Sequence, residues 1–146
     1  GLGLLALLAL HSQNALWPLD KYTPRTGDQE AGEALIERIR AIEGEVLMPH
    51  FPWYPVLAGK KPSIPLIALW DIDHRDGPFR DGVQVFKDAV ESHRWEAIIT
   101  SGRSMRFGIS QNYEVTERLR GDHRALRTRS GWPVSPRVIL GPKATE

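Results

Sequence analysis

The chain opens on an unbroken apolar run, Gly1-Leu2-Gly3-Leu4-Leu5-Ala6-Leu7-Leu8-Ala9-Leu10, with no polar position to give it a face. As a helix, ten residues reach about 15 Å, half of the roughly 30 Å hydrocarbon core of a bilayer. A signal peptide needs a basic leader and a small-residue cleavage site, and the run has neither. We read residues 1–10 as the exit end of a transmembrane helix in a piece of a longer chain. A buried helix and a damaged signal segment are the competing readings. Trp17 and Tyr22 follow at positions suited to the membrane–water interface. Residues 11–25 are polar and broken by Pro18 and Pro24, so they read as a linker.

From Thr26 the pattern turns periodic. Ala31, Leu35, Ile39 and Ile42 recur every three or four residues, with Glu30, Glu33, Glu37, Arg38 and Arg40 on the other side. That spacing predicts an amphipathic helix, opened by a capping box at Thr26-Gly27-Asp28-Gln29 and ended by Gly44. Glu45-Val46-Leu47-Met48-Pro49 predicts a short strand stopped by its proline. Leu66–Trp70 fits a strand or a short helix equally well. Gly77-Pro78 predicts the start of a second helix with Phe79, Val83, Phe86 and Val90 as its buried stripe. Ala97-Ile98-Ile99-Thr100, Tyr113–Glu117 and Arg137–Leu140 predict three further strands.

Strands alternating with two clear helices imply an α/β fold. We expect a small sheet, parallel in its first half and with antiparallel edge strands near the C-terminus, carrying two or three packed helices. Residues 26–146 form this soluble domain. The 146 residues include 19 Lys and Arg against 18 Asp and Glu, a net charge of +1, which leaves no field to draw nucleic acid. With no cysteine, disulfides and thiolate metal sites are excluded.

Four places could carry chemistry. Leu66–Asp73 ends in the D-x-D pair Asp71 and Asp73. At a strand end, two such carboxylates can share Mg²⁺, or act as nucleophile and acid. With Ala97–Gly102 as a second element, this resembles haloacid-dehalogenase-like phosphatases, and Asp71 and Asp73 are the catalytic candidates of that alternative. The later lysine and acidic pair of that family are missing, and His74 stands where glycine is usual. The bland reading is a helix cap. Second, the loop His50–Tyr54 holds His50, Phe51, Trp53 and Tyr54, with Lys60 and Lys61 behind. Rings stack on sugars and lysines meet phosphates, so His50, Trp53, Tyr54 and Lys60 are ligand-binding candidates, as in a carbohydrate-binding module. Core packing is the competing reading. Third, residues 118–129 carry five arginines, of which Arg124, Arg127 and Arg129 are candidates for anionic lipid. Fourth, His50, Asp73 and His74 match no metalloenzyme spacing, and we expect no metal site and no cofactor, Mg²⁺ belonging to the phosphatase alternative alone.

Blocks scattered over most of the soluble part carry one further resemblance. They are Gly32-Glu33-Ala34-Leu35-Ile36 with Ile39-Arg40, then Gly44–Pro49, His50 and Tyr54, and Leu57-Ala58-Gly59-Lys60-Lys61-Pro62. Ala68–Ile72 and Leu126–Trp132 follow. Together they resemble the soluble C-terminal domain of bacterial polytopic GT-C-class glycosyltransferases, the dolichyl-phosphate-mannose-protein mannosyltransferase-like proteins. The resemblance implies an extracytoplasmic domain at the cell membrane, attached to the remainder of a polytopic protein that uses polyprenyl-phosphate sugar. It implies that catalytic acids lie in loops between early transmembrane helices, so none maps onto this sequence and the domain itself is non-catalytic.

Overall fold

The computed structural model describes residues 2–15, 23–74, 76–102, 106–119, 126 and 135–144. Helix α1 (Leu2–Ala15) takes in the apolar run from Leu2 onward and continues five residues past it. The first proline is Pro18, so nothing breaks the helix at residue 11, and the Ser12 hydroxyl donates to Leu8 O at 2.8 Å. The helix thus runs into the first residues of the segment read as a linker. Leu4, Leu5, Leu7, Leu8 and Leu10 are 61–75% exposed. No helix among the described residues is long and apolar enough to cross a membrane.

Helix α2 (Asp28–Arg40) buries Leu35 and Ile39, and Ile42 is buried just past its end. The expected capping box does not form. Gly27 stands at the N-terminal boundary with φ 90, a left-handed backbone, whereas a capping Thr needs an extended one. The Asp28 carboxylate accepts the Arg25 N–H at 2.8 Å, and the Gln29 amide donates to Glu33 instead of reaching back. Strand β1 (Val46–Leu47) is followed by the one-turn helix α3 (Tyr54–Leu57). Residues 61–65 belong to no helix or strand, and after Pro65, whose backbone is extended, helix α4 (Leu66–Ile72) begins and resolves the undecided segment. Helix α5 (Arg80–Glu91) buries Val83, Phe86 and Val90. Phe79 falls outside this stripe at 62% exposed, because the helix starts only at Arg80 and leaves Phe79 on the boundary turn. Strand β2 (Ala97–Thr100), helix α6 (Ile109–Asn112), strand β3 (Tyr113–Arg118) and strand β4 (Val138–Pro142) complete the described elements.

Among the described residues the four strands form one sheet in the order β1-β2-β4-β3. β1 runs parallel to β2, with Val46 opposite Ala97 and Leu47 opposite Ile98, while β4 is antiparallel to both β2 and β3. The fold is α/β, as the element pattern predicts. Because side chains alternate across a strand, the sheet divides the core in two. Leu47, Ile98, Val138 and Leu140 meet Leu69, Val83, Phe86 and Val90 on the α5 face. Val46, Ala97, Ile99 and Ile139 meet Leu35, Ile39, Met48 and Phe51 on the α2 face. Near the end of β4 the backbone of Gly141 lies close against Thr116, at a bulge between Val115 and Glu117; a Cβ there would stand 2.8 Å from the Thr116 methyl.

Candidate functional site

Past Pro49 the chain leaves the sheet and its rings divide between core and surface. Phe51 is buried on the α2 face, and Tyr54, half-buried, meets it edge-on with ring centroids 6.0 Å apart. His50 is half-buried and tilted against Phe51 at 6.4 Å. Burial pushes the His50 imidazole below its ordinary value and the Tyr54 phenol above its own, so both are neutral at pH 7. Trp53 alone of these rings turns out, 70% exposed, next to Val56 and to Leu57 at 60%. The loop thus packs its own base and presents one indole on a short apolar ridge.

Lys60 faces the other way from that ridge. Its ammonium donates to Ile42 O at 2.5 Å and to Gly44 O at 3.1 Å, tying down the backbone just past α2. Lys60 also lines a cavity of about 420 Å³ that opens beside β1, an edge strand of the described sheet. The Glu45 carboxylate stands at its rim, taking Lys61 Nζ on Oε1 at 2.5 Å and Arg94 Nε on Oε2 at 3.0 Å. These hydrogen bonds, Lys61 first and then Arg94, hold the Glu45 carboxyl below its ordinary value. Ser63 closes the strand edge: its buried hydroxyl accepts the Met48 N–H at 2.7 Å and donates to Val46 O at 3.4 Å. Glu45, Ser63 and Arg94 were not among the candidates read from the sequence. A mixed-charge pair such as Lys61 and Glu45, 16 positions apart, leaves no local periodicity to find.

Asp71 and Asp73 do not sit at a strand end. Asp71 is exposed in the last turn of α4 and Asp73 is the residue that ends it. Residues two apart on a helix point about 200° away from each other, so the pair cannot face one ligand as the phosphatase geometry needs. Asp73 instead comes within 3.8 Å of Arg106. The second element of that resemblance, β2, does carry its hydroxyls at the strand end. Thr100 and Ser101 are 2% and 6% exposed, and among the described residues neither hydroxyl has a hydrogen-bond partner. Among the described residues no three His, Asp or Glu side chains come together as a metal site. Arg124, Arg127 and Arg129 lie outside the described residues.

Comparison with protein-family models, with curated proteins and with solved structures gave no match.

Proposed function

We propose that this chain is the extracytoplasmic, non-catalytic C-terminal domain of a membrane glycosyltransferase-like protein that uses lipid-linked sugar. The observation that carries the reading is α1. From Leu2 to Leu10 the helix is apolar on every side, with five leucines 61–75% exposed and no polar face for water, and burial of each leucine is worth about 1.5–3 kcal/mol. Hydrocarbon supplies that burial, and the domain hangs from it with its own two-sided core. Further support comes from the blocks of resemblance. Gly44–Pro49 and Leu57–Pro62 are the ones the fold brings side by side, through Lys60 on Gly44 O and Lys61 on Glu45. In this reading the chain's partner is the remainder of the polytopic protein, and exposed Trp53 lies at the membrane–water boundary.

The 146 residues contain no cysteine, so a thiol introduced here is the domain's own single label. A single thiol placed at the exposed position Ser92 (Ser92→Cys) is offered to a membrane-impermeant maleimide in intact cells. Labelling from outside is expected, and labelling that appears only after lysis would sink the extracytoplasmic placement. Membranes bearing the intact protein are then expected to transfer sugar from a polyprenyl-phosphate donor, equally well with Asp71→Asn.

A further inference from the structure

The cavity beside β1 concentrates charge in a chain that is otherwise balanced. Its charged lining is Lys60, Lys61 and Arg94 against Glu45 alone, an excess of two positive charges. The whole sequence carries only +1, so every other residue together nets −1. Two of the cations share one carboxylate. Glu45 grips Lys61 by one N–H of its ammonium and Arg94 by Nε, and the Arg94 guanidinium lies 5.9 Å from the Trp95 ring centre. Among the described residues, Arg94 is held by Nε and lies over the ring, and its two Nη groups take part in no hydrogen bond. That is the fork a tetrahedral oxyanion takes in bidentate fashion. A volume of about 420 Å³ falls in the range of small-molecule sites, roughly 300–1,000 Å³. Gly59 on the rim, with φ 79, adds no side chain to fill the space.

We infer that this cavity binds a phosphate group, with Arg94 and Lys61 as its principal ligands and Lys60 completing the positive wall. A phosphate dianion matches the local excess of two positive charges. Glu45 does not touch the ligand; it positions the two cations that do. The site is independent of the membrane reading, since α1 contributes nothing to its lining. Phosphate can arrive on a soluble sugar phosphate or on a lipid head group, and the shared chemistry is the oxyanion.

The test is a titration of the full ¹⁵N-labelled chain with inorganic phosphate, and separately with water-soluble short-chain phosphatidic acid, followed by amide shifts. The Gly44, Gly59 and Ser63 signals are expected to move and saturate. Arg94→Gln and Lys61→Gln are each expected to weaken binding about tenfold, the scale of one lost charge-assisted hydrogen bond. Arg38→Gln makes the same charge change beside Glu117, away from the cavity, and is expected to leave binding unaltered. Saturation by phosphate supports the site with a soluble source, and saturation by the lipid alone supports it with a head-group source. The amide spectrum itself reports whether each variant folds. Unmoved Gly44 and Gly59 signals with both probes overturn the inference, as does an Arg94→Gln affinity equal to that of Arg38→Gln.

Discussion

Tyr113 shows how one side chain can fix the entry to a strand. It is 2% exposed, its hydroxyl accepts the Trp95 N–H at 3.3 Å and donates to Trp95 O at 3.1 Å, and its ring meets His93 edge-on. Both backbone groups of Trp95 are thereby satisfied just before β2 begins. Burial raises the Tyr113 hydroxyl above its ordinary value, so the proton it donates stays in place at neutral pH. Tyr113→Phe keeps the ring and strands two buried backbone groups. We expect a loss of about 1–3 kcal/mol in urea unfolding, with the slope unchanged. A loss under about 0.5 kcal/mol would mean that water or a shifted backbone replaces the hydroxyl. At this scale the sequence revealed residue types better than their employment. His50, Trp53, Tyr54 and Lys60 stand out by chemistry, yet Tyr54 packs, Lys60 holds carbonyls and only Trp53 stays free on the surface. The division depends on which side of the loop faces the α2 cluster, and ring content does not encode that. Arg94 escaped notice because its partner Glu45 is 49 positions away.

The elements were more legible, for a physical reason. Ala97–Thr100 is buried at all four positions, so its apolar run and its strand bounds coincide. The stripes of α2 and α5 were readable because burial of one helix face is a periodic demand, and Leu35, Ile39, Val83, Phe86 and Val90 meet it. What failed were boundaries governed by single backbone conformations, at Gly27 before α2 and at Phe79 before α5. The β3–β4 pairing depends on a contact of the same local kind. Gly141→Ala would set a Cβ 2.8 Å from the Thr116 methyl while the Thr116 hydroxyl is tied to Ile139 O at 3.2 Å. Overpacking of this type costs about 1–3 kcal/mol. Thr116→Ser removes the methyl and keeps the hydroxyl, so the double variant is expected to recover most of the loss. A double-mutant cycle by urea unfolding measures this, and strict additivity of the two changes would rule out the contact as the cause.

For the whole molecule, the exposed leucines of α1 and the two-sided sandwich make separable predictions. The full chain is expected to float with neutral phosphatidylcholine vesicles on a density gradient. Leu5→Glu with Leu8→Glu is expected to abolish flotation while the urea midpoint of the sandwich stays within about 0.5 kcal/mol of the parent, the usual range for surface changes. Flotation that survives the double change would move the lipid contact elsewhere, with the Trp53 ridge the next place to look. The strand order has a different kind of consequence. β4 follows β2 and β3 in the chain but lies between them in the sheet. As the polypeptide leaves the ribosome, β2 is released about forty residues before β4, a wait of roughly 2–8 s at ordinary rates of synthesis. Throughout that interval Ile98 and Ile99 have no strand on their inner side. A chain cut short before Val138 lacks the strand that joins β2 to β3, and it is expected to be cleaved faster than the full chain in limited proteolysis.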